Sequence, residues 1–184
     1  MSLDQLVTDN RLFAERFAAS AVPSRPRRQI AVVLCMDARI DPFAALGLKA
    51  GDAHILRNAG GRVADALRSL VVSQMQLGTC EVAIIHHTEC GMMTFRDDDI
   101  RGTIRAQRGV DASHVAFLPF TDLEQSVQDD LAFYRQQPML RQDIPVRGFV
   151  YDVNTGLLRE VTEGAERDRA TRERRGAAQP ASRS

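Results

Sequence analysis

The run Ile30-Ala31-Val32-Val33-Leu34-Cys35 decides the architecture of this chain. Five apolar residues in succession have the length of a strand and show no polar alternation. Such a strand is buried on both faces, which calls for a parallel sheet covered by helices. Val82-Ala83-Ile84-Ile85 repeats the pattern, and Ala53-His54-Ile55-Leu56 and Val115-Ala116-Phe117-Leu118 are further short strand candidates. Between these runs the period changes. Residues 63–77 carry Leu67, Leu70, Val71 and Met75 along one helical face and stop at Gly78. Residues 97–107 open with acidic side chains, where the helix dipole favours them, and residues 123–135 form another helix. Residues 146–153 and 157–161 flank Asn154-Thr155-Gly156 and read as a hairpin. Strands alternating with helices predict an α/β fold: an open, mostly parallel sheet of about four strands flanked by helices, with right-handed crossovers and an antiparallel edge strand.

Further out, the chain divides into three parts. Leu6, Phe13 and Phe17, with Leu12 and Ala14, recur at helical spacing over residues 3–19, ahead of the stiff linker Pro23-Ser24-Arg25-Pro26. Residues 1–22 are therefore an N-terminal amphipathic helix that packs on its own domain or on another subunit. Residues 23–163 form the α/β domain. Residues 164–184 contain no Val, Ile, Leu, Met or aromatic side chain and set six Arg against three acids. Such a segment cannot bury enough surface to offset its ordering entropy. It is expected to be a disordered tail, at most a frayed helix over 166–175, with docking to a partner as its alternative use.

Composition removes several function classes. The 24 basic and 24 acidic side chains cancel, which argues against a general nucleic-acid binder. No apolar run approaches the roughly 18 residues of a membrane span, and the charged first 20 residues lack the apolar centre of a secretory signal. Three Cys are too few for a disulfide scaffold, so the expected setting is a cytoplasm with reduced thiols.

Chemistry collects at strand ends. Cys35 closes the first apolar run, and His86-His87 closes the one at 82–85. Parallel strands joined by crossovers deliver both ends to the carboxyl edge of the sheet, where open α/β folds place ligands. Cys35, His87 and Cys90 then offer two thiols and an imidazole, a set that suits zinc and leaves one tetrahedral position for water or substrate. Neighbours on a strand face opposite sides, and the short His87-x-x-Cys90 spacing selects His87 over His86. Asp37 and Arg39, two residues apart, form a carboxylate–guanidinium pair in which the acid stays ionised and fixed. Arg57-Asn58-Ala59-Gly60-Gly61-Arg62 is a Gly-rich turn without the spacing or lysine of a phosphate loop. Its glycines are expected to let backbone pass close to the metal site or a neighbouring subunit. Cys80, at the other end of its strand, is read as packing, and His54 and His114 as structural or solvated.

Cys35-x-Asp37-x-Arg39, Arg57-Asn58-Ala59-Gly60 and His87-x-x-Cys90-Gly91, in this order, resemble the β-class carbonic anhydrases over about residues 29–94. The resemblance implies one zinc per subunit on Cys35, His87 and Cys90, with Asp37 and Arg39 as the catalytic dyad. It implies a pocket touching Ala59, Gly60 and Gly91, a homodimer or larger assembly, and an N-terminal helix lying across the partner. In a closed state Asp37 would become a fourth ligand. The implied activity is hydration of the small molecule carbon dioxide to bicarbonate and a proton. Met36-Asp37-Ala38 departs from the family's commoner Ser-Asp-Ser pattern, and Met92-Met93-Thr94-Phe95 looks like the short bacterial and archaeal branch, which also resembles hydrolases of carbonyl sulfide or carbon disulfide. A non-catalytic zinc module, structural or redox-sensing, is the reading from another class.

Overall fold

The computed structural model describes residues 2–17 and 23–162. The tail expected at 164–184 lies outside the described residues. Among the described residues five strands form one sheet: β1 (Ile30–Cys35), β2 (Ala53–Asn58), β3 (Glu81–His87), β4 (Val146–Tyr151) and β5 (Leu158–Val161), in the order β2-β1-β3-β4-β5. The first three pairings, β1 with β2, β1 with β3 and β3 with β4, are parallel. Only β5 runs antiparallel, on the outside of β4, as the hairpin pattern predicts.

The central position of β1 explains its uninterrupted apolar run. On one face Ala31 and Val33 pack with Val63, Leu70, Val127, Leu131 and Tyr134. On the other, Val32 and Leu34 pack with Ile40 and Ile85. Helices α3 (Val63–Met75) and α5 (Leu123–Gln136) supply the first of these layers. The close seating of α5 on β4 depends on Gly148, where a Cβ would stand 2.4 Å from Val127 Cγ1 and 2.9 Å from Leu131 Cδ1. Helix α4 (Asp97–Arg108) begins with three Asp and ends on Gly109 in the left-handed conformation. A short α2 (Pro42–Ala45), capped by the Asp41 carboxylate, was not signalled by any apolar period because one turn is too short to show one.

The strand expected at Val115-Ala116-Phe117-Leu118 does not form; the segment has no regular structure. Its backbone groups are taken by side chains instead. The Phe117 amide donates to Asp97 Oδ1 (3.0 Å), and the Leu118 carbonyl accepts from Arg62 Nη1 (3.0 Å). Leu118 sits at φ 60°, which breaks the extended conformation. Four apolar residues fit a connecting segment that lies over a core as well as they fit a strand, so the run alone does not separate the two.

Helix α1 (Leu3–Arg16) ends three residues before the expected boundary, with Phe17 as its C-cap. None of its residues is buried, and Leu6, Phe13 and Phe17 are all more than half exposed.

Candidate metal centre

The parallel register puts three strand ends side by side. Cys35, the last residue of β1, pairs with Asn58, the last of β2, and His87 is the last of the neighbouring β3. Three residues later the chain returns with Cys90, through Glu89 in the left-handed conformation at φ 56°. The ligand atoms of Cys35, His87 and Cys90 lie within 4.8 Å of one another, and all three side chains are buried. The two sulfurs are 3.9 Å apart.

The hydrogen bonds show what this cluster can hold. His87 Nδ1 lies 2.9 Å from the Thr88 carbonyl, an acceptor only, so Nδ1 carries the proton. That leaves the Nε2 lone pair free, and Nε2 is buried with no hydrogen-bond partner. A buried polar atom without a partner is costly. A cation bonded to Nε2 removes the cost, and the carbonyl bond at Nδ1 is how metal-ligating histidines are oriented. The thiols fit as well. The neighbouring Cys90 thiol, followed by His87 and the Gly60 and Asp37 backbone, pulls the Cys35 thiol down, against the opposing effect of burial. Cys90 moves up, first because Cys35 is next to it and then through burial. One sulfur is thus favoured as thiolate while its neighbour keeps its proton, and a divalent cation bound between them would displace that proton. Two soft sulfurs and one imidazole nitrogen fit zinc.

Asp37 stands at the rim of this cluster, its Oδ2 3.8 Å from His87 Nε2. Arg39 holds both of its oxygens: Nε and the backbone amide donate to Oδ1 (3.0 and 2.9 Å), and Nη2 donates to Oδ2 (2.9 Å). These bonds to Arg39 keep the Asp37 carboxyl well below the usual carboxylate range. The same contact raises Arg39 in return.

A cleft of about 440 Å³ opens beside the cysteines, and Ala59, Gly60 and Gly91 line it together with Met36, Met92 and Phe95. The Gly-rich turn serves the backbone approach expected of it. At Gly61, with φ 71°, a Cβ would lie 2.9 Å from the Ile85 carbonyl oxygen and 3.0 Å from the Cys35 amide nitrogen. Gly91 is different, since nothing lies within 4 Å of the Cβ it lacks.

Sequence reasoning passed over several residues around the site. Arg57 donates through Nε to the Cys35 carbonyl (3.0 Å) and through Nη2 to the Asp37 carbonyl (2.6 Å), clamping the loop that carries both. Asn58 exchanges two hydrogen bonds with the Arg62 backbone (2.8 and 2.7 Å) and closes the glycine turn. A signal existed for both: they are the last two residues of β2, opposite Leu34 and Cys35. His86 faces away from the cluster and is fully buried. It meets Ser126 Oγ at 2.7 Å and Asp130 Oδ2 at 3.0 Å, and its ring stacks on Phe120. Asp130 also accepts from Arg62 Nε (3.0 Å), and Phe120 packs with Cys35 and Cys90. No spacing in the sequence could link His86 to partners some forty residues away on α5. His54 bonds Ser73 Oγ at 2.7 Å, His114 is exposed, and Cys80 contacts Gln29 at the far end of β3.

Comparison with known proteins agrees with this geometry. The family model described as carbonic anhydrase matches residues 30–158. The chain is similar to β-carbonic anhydrase 1 of Mycobacterium tuberculosis, 41% identical over 162 residues covering 86% of this chain and 97% of the relative. The crystal structure of a carbonic anhydrase from Streptococcus mutans superposes with a TM-score of 0.83 at 44% identity, covering 88% of this chain and 99% of that one. A carbon disulfide hydrolase from Acidithiobacillus thiooxidans is 31% identical over 153 residues, 72% of this chain and 76% of its own.

Proposed function

We propose, from the premise that this chain belongs to the β-class carbonic anhydrase family, how its site carries out reversible hydration of carbon dioxide to bicarbonate and a proton. Cys35, His87 and Cys90 hold one zinc ion per subunit. The observation that carries this reading is the buried, partnerless His87 Nε2 beside two sulfurs. When bound, zinc supplies the Lewis acidity that makes water a nucleophile near neutral pH. Asp37 accepts that nucleophile's hydrogen bond and aims its lone pair at the substrate carbon. Arg39 keeps Asp37 ionised and oriented, and Arg57 fixes the backbone that presents Cys35 and Asp37. Met92, Phe95 and Ala59 give the cleft an apolar wall suited to an uncharged, nonpolar gas.

Asp37 has its ordinary value near 3.8 lowered in the folded protein. The Asp37–Arg39 pair therefore stabilises the fold above about pH 4, and this contribution is lost only as pH falls through the depressed folded value. Between pH 8 and pH 6 the carboxylate stays charged. Its protonation cannot cause an activity loss in that window, whereas an Asp37 released by Arg39 and turned into the fourth metal position can. Asp37→Ala is expected to lower kcat/KM about 100-fold, the scale of losing one preorganised hydrogen-bonding group at a reacting centre. If a closed state favoured at lower pH removes activity in this way, the same variant should abolish that loss. A variant that keeps the full low-pH loss would show that Asp37 does not close the site.

The relative named carbon disulfide hydrolase favours one second reading, hydrolysis of carbonyl sulfide or carbon disulfide at the same centre. Carbon dioxide hydration and sulfide release from both compounds, measured on one zinc-loaded sample, decide between them. The account expects hydration to dominate, and sulfide release exceeding it would reverse the assignment. The non-catalytic reading needs a permanent fourth protein ligand, and Asp37, the residue placed to serve, has both oxygens committed to Arg39.

Helix α1 supports a homo-oligomer. Its apolar side, with Phe13 and Phe17 rings 5.4 Å apart, is left uncovered by the described residues, and β2 is an open sheet edge. A second copy of the chain covers this face. Phe13→Glu combined with Leu6→Glu is expected to lower the molar mass measured by light scattering to that of a smaller assembly, and an unchanged mass would refute the contact. No helix among the described residues is long and apolar enough to cross a membrane, and a cytoplasmic location remains part of this proposal. So does docking through residues 164–184.

A further inference from the structure

We propose that Glu89 is a positioning residue for the Asp37–Arg39 pair, bracing the guanidinium from the side away from Asp37, and that Asn154 in the β4–β5 turn holds Glu89 in place. This rests on the reading that Asp37 works beside the metal. Glu89 fills one of the two unspecified positions of the His87-x-x-Cys90 motif, a place the motif itself treats as free. Its contacts are specific. Arg39 Nη1 donates to Glu89 Oε2 (3.0 Å), and Arg39 Nη2 donates to the Glu89 carbonyl (3.1 Å). Asp37 takes Nε and the remaining Nη2 hydrogen. The two acids therefore use different N–H groups and do not compete. Four of the five guanidinium N–H donors are engaged, so Arg39 cannot swing off Asp37 without also breaking its bonds to Glu89.

The other Glu89 oxygen, Oε1, accepts from Asn154 Nδ2 (2.9 Å). The same turn segment grips the metal loop nearby: Val153 N donates to Thr88 Oγ1 (3.1 Å), and Thr88 N donates to the Tyr151 carbonyl (3.0 Å). Glu89 also holds a left-handed backbone at φ 56°, strained for a residue with a side chain. In that conformation both its carbonyl and its carboxylate reach Arg39. A chain of contacts thus runs from the hairpin turn through Glu89 and Arg39 to Asp37.

The direct readout is the hydrogen-exchange protection of the Arg39 Nε–H, followed by ¹⁵N NMR, alongside kcat/KM. Arg39 and Glu89 are about half exposed, so the coupling is that of a surface ion pair. Glu89→Ala and Asn154→Ala are expected to lose Nε–H protection and to lower kcat/KM by about two- to five-fold with unchanged thermal melting. Glu89→Gln, which keeps the shape but not the charge, should fall between them and the parent. An Arg39 that stays protected in both alanine variants overturns the proposal. So does a kcat/KM at the parent value once protection is lost. If instead Asp37→Ala itself leaves kcat/KM unchanged, the reading of Asp37 fails, and the protection data still report separately whether Glu89 braces Arg39.

Discussion

His87→Ala is expected to cost this protein its metal. Apparent zinc affinity should fall by more than 100-fold, and carbon dioxide hydration should drop to the buffer rate. Losing a group that merely orients a ligand costs about 10- to 100-fold in affinity, and loss of the ligand itself exceeds that. The substitution leaves two sulfurs 3.9 Å apart, too few ligands for a tetrahedral site. It also removes the polar atom that the fold buries without a partner. The folding consequence is distinctive: without metal, replacing a side chain whose Nε2 is unsatisfied should destabilise the protein less than deletion of an equally buried apolar residue. Zinc titration followed by a competing chelator, with a denaturant melt of the metal-free protein, checks both parts.

Gly61→Ala is the second large effect. At φ 71° a left-handed alanine costs roughly 1 kcal/mol, and overlap with the β-sheet backbone adds about 1–3 kcal/mol, as overpacked interiors do. The displaced atoms are the Ile85 carbonyl and the Cys35 amide, so the strain falls on a metal ligand. Stability should drop by about 2–4 kcal/mol, and zinc affinity should fall with it. Gly91→Ala provides the contrast. It has open space around it, so its stability should change by no more than about 0.5 kcal/mol. Urea denaturation of the two variants side by side would expose an error if their effects were equal.

Those two glycines mark what the sequence could and could not reveal. The architecture was legible because β1 is buried on both faces, and an unbroken apolar run records that directly. The cluster was legible because parallel strands must end on one edge, which makes the sequence-distant Cys35 and His87 neighbours. The run at 115–118 misled because its hydrogen bonds go to Asp97 and Arg62, and composition does not record bonding partners. The same limit hid Arg57, Glu89 and the His86–Asp130 contact, whose partners come from other elements. Gly91 shows the converse, since a glycine beside a metal ligand carries no sign of whether its surroundings are crowded, and these are open.

The central claim is that Cys35, His87 and Cys90 hold a zinc ion that serves carbon dioxide hydration. Its most direct test is stopped-flow hydration across pH 6 to 9, with zinc per chain determined on the same sample. The account predicts one zinc per chain, and hydration that rises with pH and disappears when the zinc is removed. A protein that binds no zinc, or one fully loaded with zinc that hydrates no carbon dioxide at any pH, would contradict it.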